Sequence, residues 1–413
     1  MAISTDAPSR ADRPLSLNMT LLSQHDLDGF GGMGEGMSMQ RAKDGRRILW
    51  LAHETGPKNF TGVDVSDPRN PKIVVQTELP GAKMRSNSLE VVGNTLAVAY
   101  QTSARGAKEA GFELFDVSTP EKPKSIAFHS LAGPTSRGVH QLWFADGGYI
   151  HCSGGAPDYK PRNLADDQIY LSFDVRNPSK PVEAGRCWMP GLAEGDKEPA
   201  PQRHTHGFDA GFRPHNTNVY PNRPDRCYMA YIDGGVITLD ISDRAHPKPI
   251  CHWDPSPPFP GFTHTVVPIF DRDLLIVSDE SVKDNAADWP KLVWVLDNRV
   301  ESNPVPISTF PMAPRDVFGK RGGRFGAHNL HENQPGSFQS SNIIIGTFFN
   351  GGVRVFDISD QFRPEEIGYY VPAAPKLAPT GAIQLNDVYV DDRGIVFTMD
   401  RHVGGLYALE MKI

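Results

Sequence analysis

The stretch from Val63 to Pro71 reads Val-Asp-Val-Ser-Asp-Pro-Arg-Asn-Pro, and related versions of it recur along the chain. In each copy an apolar strand ends in Asp, and a proline follows seven residues later. The six pairs are Asp64 and Pro71, Asp116 and Pro123, Asp174 and Pro181, Asp240 and Pro247, Asp297 and Pro304, and Asp357 and Pro364. Successive aspartates are 52, 58, 66, 57 and 60 residues apart. A fixed internal offset at this period indicates a repeat protein.

Each repeat unit predicts four short antiparallel strands. The first strand carries the Asp and precedes a turn rich in Asp, Asn, Ser and Pro, which set turn dihedrals or accept backbone hydrogen bonds. A second strand, an inner strand that begins near a His or an Asn, a tight turn such as Gly93-Asn94, and an apolar last strand follow. Because no helical periodicity separates the strands, each unit is typical of a β-propeller blade.

These features resemble the LVIVD-repeat β-propeller family. The similarity rests on the Asp-Val-Ser-Asp-Pro…Pro turn followed by the inner strand with its Gly-x-x-His or Asn, and it covers nearly the whole chain from Ile48 to Ile413. The resemblance implies a propeller fold. It implies little about function, since most such proteins are uncharacterised.

Both ends of the chain supply strands for a last blade. Leu406 to Glu410 matches the Asp-bearing strand, and the N-terminus offers the missing strands: Ser16 to Ser23, Met37 to Ala42 and Ile48 to His53. Blades stack around an axis because one blade cannot bury both faces, and closing the ring removes open sheet edges. We therefore predict an all-β, seven-bladed propeller whose last blade is closed by strands from both termini. It would form one domain, residues 16–413, after a flexible tail, residues 1–15. The alternative is a linear solenoid of stacked repeats.

Composition excludes several classes of function. The net charge of -7 and the lack of a basic block argue against a nucleic-acid partner. No apolar run approaches the roughly 18 residues of a membrane span. Residues 1–18 lack the apolar core of a signal peptide, so we expect a cytoplasmic protein. The four cysteines lie far apart without a CxxC pair, which predicts buried thiols.

The starts of the inner strands carry the candidate site. We expect six of these positions to face the propeller axis: Asn87, His140, His206, His264, His328 and Asn386. Imidazole is a good ligand for Fe, Zn, Cu, Mn or Ni, so the four histidines predict a divalent metal ion bound by His140, His206, His264 and His328. If the register is shifted, His204 or His331 would replace its neighbour. The alternative is that each His is a repeat residue hydrogen-bonded to channel water.

Other residues complete the predicted site. We predict His53, His402, Glu332 and Asp233 as acid–base groups, with Asp279 and Glu280 as further carboxylates near the metal, and we expect His215, His246 and His252 to lie at the surface or in turns. The glycine-rich run from Gly31 to Gly36 allows the backbone to approach another group closely, or is a plain flexible loop.

Arginines precede four axial positions by two to four residues: Arg85, Arg137, Arg203 and Arg324. Since guanidinium groups match carboxylate and phosphate geometry, we predict that they bind a small anionic substrate together with Asn87 and Asn386. The alternative is a set of solvent-facing loop arginines.

The loops that lead into the inner strands are long, 23 to 32 residues from the preceding Asp, whereas those at the other face are short. One elaborated face on a symmetric scaffold is where binding usually occurs. By analogy of architecture alone, carotenoid-cleaving oxygenases and oligogalacturonate lyases hold metals through histidines on propellers. The sequence therefore predicts a metal-dependent enzyme with lyase or oxygenase-type chemistry. The alternative is a non-catalytic scaffold that binds a protein partner through the long loops.

Overall fold

The computed structural model describes residues 11–203 and 210–413. Within these residues the chain forms seven antiparallel sheets. Two N-terminal strands, β1 (Leu15–Leu17) and β2 (Met19–His25), join the last two sheets.

The first five sheets use consecutive stretches of the chain. The first contains β3 (Met33–Arg41), β4 (Arg47–His53), β5 (Lys58–Asp64) and β6 (Lys72–Glu78). The second contains β7 (Met84–Arg85), β8 (Leu89–Val92), β9 (Thr95–Thr102), β10 (Gly111–Asp116) and β11 (Lys124–Ser130). The third contains β12 (Val139–Trp143), β13 (Tyr149–Gly154), β14 (Ile169–Asp174) and β15 (Val182–Cys187). The fourth contains β16 (Pro214–Tyr220), β17 (Arg223–Tyr231), β18 (Gly235–Asp240) and β19 (Lys248–Trp253). The fifth contains β20 (Thr263–Ile269), β21 (Leu274–Asp279), β22 (Val293–Asp297) and β23 (Val305–Thr309).

The last two sheets combine both ends of the chain. The sixth contains β24 (Ile343–Thr347), β25 (Val353–Asp357), β26 (Glu365–Val371) and then β1. The seventh contains β27 (Leu385–Val390), β28 (Ile395–Asp400), β29 (Leu406–Met411) and then β2. The helices described are short: α1 (Arg315–Phe318) and the 3-10 turns Leu27–Gly29, Leu164–Asp166 and Phe270–Arg272. No helix in the described ranges is long and apolar enough to span a membrane.

The inner strands form a closed ring. β3 contacts β8, β8 contacts β12, β12 contacts β16, β16 contacts β20, and β27 contacts both β24 and β3. In the sixth sheet the inner position is taken by residues 328–331, which bond to β24 through His328 N to Thr347 O at 3.0 Å and His331 N to Ile345 O at 2.8 Å. The predicted all-β, seven-bladed propeller is confirmed.

The N-terminal strands differ from the prediction in two details. Met37 to Ala42 and Ile48 to His53, predicted for the closing blade, correspond to β3 and β4 of the first sheet. The stretch predicted as one strand is divided at Asn18, whose φ of 54° turns the chain. Asn tolerates this left-handed conformation better than most residues. As a result Leu15 pairs with Val371 in the sixth sheet, and Leu21 pairs with Leu409 in the seventh. Part of the predicted tail is ordered, because Ala11 O accepts a bond of 2.6 Å from the backbone of residue 374.

The Asp of each repeat builds the turn that follows its strand. The Oδ1 atom of Asp64 accepts bonds from the backbone N of Ser66 at 3.0 Å and from its hydroxyl at 2.6 Å. The same aspartate-to-backbone bond recurs in the other five repeats, at Asp116, Asp174, Asp240, Asp297 and Asp357. The repeat is therefore a structural signal of the turn, and it lies away from the axis.

Apolar clusters between neighbouring sheets hold the blades together. One cluster joins the third, fourth and fifth sheets through Trp143, Tyr228 and Leu275. The indole of Trp143 also donates to Val219 O at 2.6 Å, which links inner strands β12 and β16. All four cysteines are free thiols; Cys152, Cys227 and Cys251 are buried as predicted, whereas Cys187 is partly exposed. This rigid packing fixes where the first residues of each inner strand meet at the axis.

Candidate metal centre on the propeller axis

Four imidazoles meet at the propeller axis. They belong to His140, His215, His264 and His328, each at the start of the inner segment of its blade. Ring centroids of successive residues are 4.6, 3.8 and 4.5 Å apart. All four side chains are buried. Three of the four predicted histidines are thus brought together, and the fourth member is a different residue.

The fourth imidazole is that of His215, which the sequence analysis wrongly placed at the surface or in a turn. The predicted ligand His206 and its alternative His204 lie outside the described residues. The number of residues between the histidine and the next tight turn could have identified His215 as the axial residue of its blade. Six residues separate His140 from Asp146 and six separate His215 from Pro221, whereas fifteen separate His206 from Pro221. The long preceding loop obscured this register.

The glycine-rich run brings a carboxylate to the centre of the four imidazoles. Glu35 lies in this run, and its backbone N donates to Asn87 O at 2.6 Å. A Cβ on Gly34 would lie 2.5 Å from Asn87 O, and one on Gly36 would lie 2.4 Å from Leu89 N. Only glycine permits such close approach to the neighbouring inner strand. The close approach of this glycine-rich run was predicted from the sequence, but a role for Glu35 was not.

The Glu35 carboxylate faces all four rings. Its oxygens lie 3.9 Å from His140 Nε2, 3.5 Å from His215 Nε2, 3.8 Å from His264 Nε2 and 3.5 Å from His328 Nε2. Glu280 lies on one side, 3.8 Å from His264 Nε2 and 3.6 Å from His328 Nε2. Each pair of neighbouring imidazoles therefore shares a carboxylate. Glu280 was predicted as a carboxylate near the metal, and it lies beside His264 and His328.

The other nitrogen of each ring is held by a hydrogen bond. Asn386 O accepts from His328 Nδ1 at 2.6 Å, and Gln101 Oε1 lies 3.0 Å from His140 Nδ1. Asn216 Oδ1 lies 2.8 Å from His215 Nδ1, and Thr265 Oγ1 lies 2.8 Å from His264 Nδ1.

These partners decide the tautomers. A backbone carbonyl can only accept, so His328 carries its proton on Nδ1. Gln101 Oε1 accepts from the Arg85 guanidinium, and Asn216 Nδ2 donates to the Glu332 carboxylate at 2.6 Å. Both amides therefore present oxygen to the imidazoles, and His140 and His215 are also protonated on Nδ1. The Nε2 lone pairs of these three rings point at the axis.

Three of the imidazoles, those of His140, His215 and His328, are held in the neutral form that binds metals. Burial lowers the pKa of His215 to about 3, and burial lowers the pKa of His140 and of His328 below their ordinary value. The site therefore combines neutral imidazole nitrogens with the oxygen atoms of the Glu35 carboxyl group.

The donor atoms fit a metal ion. The side chains of Glu35, His215 and His264 form one group of ligand atoms within 4.8 Å of one another, and His264, Glu280 and His328 form another. Within the described residues the buried Nε2 atoms of His264 and His328 have no hydrogen-bond partner. His140 Nε2 and His215 Nε2 are 2.9 Å apart. Two nitrogens bound at about 2.1 Å and at right angles on one metal would lie about 3.0 Å apart.

The four predicted acid–base residues lie outside this cluster, and that part of the prediction is wrong. His53 bonds to Thr61 Oγ1 at 2.8 Å inside the first sheet. Asp233 accepts from the backbone N of Ala210 and of Gly211 at 2.8 and 2.7 Å, so it shapes a loop. Glu332 binds Asn216 and Asn218 at 2.6 and 2.8 Å and so orients His215 indirectly.

His402, the fourth predicted acid–base residue, and two further residues, Asp279 and His331, are also placed away from the imidazoles. His402 is half-buried on the seventh sheet, next to Arg401. Asp279 accepts from the Trp294 indole at 2.7 Å. His331, the alternative to His328, bonds to Phe338 O at 2.8 Å within the wall. None of the three contacts the Glu35 carboxylate.

The two axial asparagines position other groups and do not project toward a substrate. Asn87 Nδ2 donates to Glu35 Oε2 at 3.3 Å. Asn386 Nδ2 donates to Gly34 O at 2.8 Å, while its own backbone oxygen binds His328. These contacts hold the glycine-rich run and the imidazole in place. We therefore correct their predicted role from substrate binding to support of the site.

Each predicted arginine is paired with a carboxylate. Arg137 binds Asp167 at 2.6 and 3.0 Å, Arg203 binds Asp166 at 2.8 Å, and Arg324 binds Glu280 at 2.8 Å. These three guanidinium groups already have carboxylate partners, which counts against their predicted role in binding an anionic substrate.

Arg85 differs from the other arginines because it shares its carboxylate. Arg85 and Arg401 both bind Glu54 Oε1, the latter at 2.6 Å. One carboxylate cannot neutralise two guanidinium groups. Arg85 also lies 3.4 Å from His140 Nδ1, so this excess positive charge adjoins the imidazoles. Arg401 was not predicted, because it follows the last strand of its blade and not an axial position.

A surface pocket lies beside this arginine pair. It has a volume of ≈ 360 Å³ and is lined by Glu54, Lys83, Arg85, Gln101 and Arg137, among others. Gln101 and Arg85 also contact His140. The pocket therefore adjoins the imidazole cluster and carries more basic than acidic side chains.

Comparison with known proteins supports the fold. No family model matches the chain, so the resemblance to the LVIVD-repeat family stays a prediction, and no curated protein matches either. The chain is similar to a chain in a crystal structure of a mitotic checkpoint complex, with a TM-score of 0.54, 11% identity, and coverage of 97% of this chain and 92% of the other.

Two further solved structures give the same result. The β-propeller domain of Cps50 (Swd1) from Myceliophteria thermophila has a TM-score of 0.52 and 12% identity, with coverage of 92% of this chain and 97% of that domain. A putative 6-phosphogluconolactonase from Bacteroides uniformis has a TM-score of 0.53 and 14% identity, with coverage of 81% and 85%. At such low identity these similarities show that the chain is a β-propeller and leave its function to the chemistry of the site.

Proposed function

We propose that this protein is a metal-dependent enzyme that acts on a small anionic organic substrate at the propeller axis, with lyase or oxygenase-type chemistry. The metal would be bound by His140, His215, His264 and His328 together with Glu35. The observation that carries the proposal is the convergence of these imidazoles on one buried carboxylate, with their Nδ1 atoms held by hydrogen bonds. Metal-binding histidines are ordinarily oriented in this way by a partner on the other ring nitrogen.

The ligand set favours iron(II) or manganese(II). Four imidazoles and a carboxylate exceed the four ligands of a structural zinc site. Imidazole suits iron and carboxylate suits manganese, and both ions take five or six ligands. Glu35 supplies negative charge that an all-imidazole site would lack, and Glu280 lies beside two of the rings. The metal would supply Lewis acidity toward a substrate carboxylate or carbonyl, or a site for oxygen activation.

The adjoining pocket supports an anionic substrate. Arg85 contacts both the pocket and His140, and with Arg401 it leaves a positive excess at Glu54. A guanidinium group binds a carboxylate through two parallel hydrogen bonds and so fixes its orientation. Arg85 would hold the substrate anion at the edge of the imidazole cluster. The pocket volume of ≈ 360 Å³ suits a small organic molecule.

Metal analysis of the purified full-length chain tests this proposal. We expect about one iron or manganese ion per chain, lost on His264→Ala, because that ring lies in both ligand groups. The matched control is His246→Ala, since His246 is exposed and pairs only with Asp243. Loaded protein is then screened with small carboxylates for oxygen uptake and for unsaturated elimination products.

A wild-type chain that binds neither ion when supplied with them would overturn the metal centre. Turnover that persists in His264→Ala would overturn its role in catalysis. A chain that binds metal but turns over none of the small carboxylates would count against the enzyme and favour a scaffold that binds a partner.

A further inference from the structure

Glu54 joins two guanidinium groups beside the imidazole cluster. It follows β4 directly, and its side chain is only 9% exposed. Its Oε1 atom accepts hydrogen bonds from Arg85 Nη1 and, at 2.6 Å, from Arg401 Nη2. Neither the Asp-turn repeat nor the proposed set of metal ligands explains why a largely buried carboxylate lies at this point.

The position of Glu54 is fixed by the parts of the chain around it. Its backbone N donates to Gly32 O at 3.1 Å, which ties it to the glycine-rich run. Its partner Arg401 donates through Nη1 to Asn386 Oδ1 at 3.3 Å. Asn386 in turn binds both the glycine-rich run and His328. Glu54 is therefore held at a constant place relative to the imidazole cluster.

Arg85 transmits this restraint to Gln101. The Nε and Nη2 atoms of Arg85 donate to Gln101 Oε1 at 3.0 and 2.6 Å, while Nη1 donates to Glu54. A guanidinium group that is bound on both sides cannot turn without losing one of these contacts. Gln101 Oε1 is thus kept toward Arg85 and also toward His140 Nδ1, which lies 3.0 Å away.

The orientation of the Gln101 amide decides whether His140 can bind a metal. An amide has an accepting oxygen and a donating nitrogen, and a half-turn about its last bond exchanges them. With the oxygen toward the ring, His140 carries its proton on Nδ1 and leaves the Nε2 lone pair for the metal. With the nitrogen toward the ring, Nδ1 must accept, the proton moves to Nε2, and Nε2 cannot bind a metal.

Two other imidazoles are oriented without Glu54. His328 Nδ1 faces the backbone oxygen of residue 386, which can only accept. The Asn216 amide beside His215 is held by its own bond to Glu332. Of these three rings, His140 alone depends on an amide that a guanidinium group holds in place.

We infer that Glu54 is a positioning residue that sets the tautomer of His140 through Arg85 and Gln101. The inference rests on the proposed metal centre, because it explains how one of the proposed ligands is oriented. Glu54 acts from the Nδ1 side of the ring, opposite the atom that would bind the metal. Loss of a group that orients a metal-binding histidine typically weakens metal binding about 10- to 100-fold.

Glu54→Gln in the full-length chain tests this inference. The variant keeps the size of the side chain, removes its charge and places donor N–H groups next to two guanidinium groups. Arg85 should then release Gln101, and Mn²⁺ affinity in competition with a chelator should fall about 10- to 100-fold. The matched control is Glu78→Gln, because Glu78 is 64% exposed and pairs with Lys58; it should bind Mn²⁺ as wild type does.

Two double variants separate this role from a merely structural one. In the Glu54→Gln background, Gln101→Glu places an ionised carboxylate, which can only accept, beside His140, so Mn²⁺ binding should recover. In the background of Gln101→Met, which has no amide to orient, Glu54→Gln should cause little further loss. A general disturbance of the structure at Glu54 would show neither rescue nor this loss of effect.

Nitrogen NMR of the chelator-treated chain with labelled histidine measures the tautomer without any metal. His140 should carry a proton on Nδ1 in wild type and lose it in Glu54→Gln. His328 should keep its Nδ1 proton in both proteins, because a backbone oxygen holds it.

Three results would count against the inference, and they differ from failure of the metal centre. The positioning role is overturned if Glu54→Gln binds Mn²⁺ as tightly as wild type, or if its His140 keeps the Nδ1 proton. It is also overturned if Gln101→Glu does not restore binding. A wild-type chain that binds no metal would instead refute the metal centre, and the His140 tautomer in Glu54→Gln would then decide the positioning role alone.

Discussion

Replacement of His215 by alanine is the sharpest test of how the metal centre is built. Sequence alone favours His206 as the fourth ligand, whereas the structure places His215 Nε2 2.9 Å from His140 Nε2 and 3.5 Å from Glu35 Oε2. The His215→Ala variant removes one donor atom of the five proposed. Its Cβ leaves the strand β16 intact, so the loss should be local.

The expected magnitude follows from the number of ligands. Structural zinc sites have apparent binding free energies of about 10–16 kcal/mol, which sets an upper bound for the more weakly bound iron(II) or manganese(II). Shared among five donors, this is about 2–3 kcal/mol for each imidazole, and a loss of that size weakens metal binding about 30- to 200-fold. The Asn216 amide would keep its bond to Glu332, so the substitution should disturb the neighbouring side chains little beyond the loss of the imidazole.

Competition with a chelator of known affinity measures the change. Fe²⁺ and Mn²⁺ dissociation constants are determined for wild type, His215→Ala, His206→Ala and the exposed control His246→Ala. We expect a large loss for His215→Ala and none for His246→Ala. The assignment is refuted if His215→Ala binds metal as tightly as wild type while His206→Ala does not.

Three further predictions concern stability and the glycine-rich run. In Gly34→Ala the new Cβ would lie 2.5 Å from Asn87 O, so Glu35 should be displaced and metal affinity should fall at least tenfold in the same competition assay. The control is Gly148→Ala, where the nearest atom to a new Cβ is 3.4 Å away on a flexible side chain. This variant should bind metal normally. Burial lowers the pKa of His331 to about 4, so the unfolded chain, with a pKa near 6.5, binds the proton first. The stability that neutral His331 contributes is present above about pH 6.5, and about 3 kcal/mol of it is lost as the pH falls toward 4. In that pH window His331→Gln should reduce the slope of the free energy of unfolding against pH. An unchanged slope in denaturant titrations would contradict the assignment. Trp143→Phe removes the indole donor to Val219 O and some core volume, so we expect the free energy of unfolding to fall by about 2–4 kcal/mol in denaturant titrations. A fall below about 0.5 kcal/mol, which is typical of a surface substitution, would argue against this link between blades.

The fold could be predicted from the sequence because its signals, the Asp turn and the alternating apolar residues, are local and recur in each repeat. Each Asp closes its own turn two residues away, and alternating apolar residues set each strand, so six copies could be recognised without any knowledge of long-range contacts. His140, His264 and His328 followed from the same register, since each begins an inner segment a few residues before a tight turn.

The tertiary structure decided which residues share the axis. Glu35 precedes the nearest of its imidazole neighbours by more than 100 positions in the chain, and only the close approach of Gly34 and Gly36 to the next inner strand brings its carboxylate to them. His215 was misplaced because a long loop before β16 disguised the register. The pairing of Arg137, Arg203 and Arg324 with acidic partners was also invisible, since those partners lie on other loops. Local hydrogen bonds determine the structure of each blade. Which side chains meet at the propeller axis depends on how the seven blades pack together, and the sequence of a single repeat does not encode that packing.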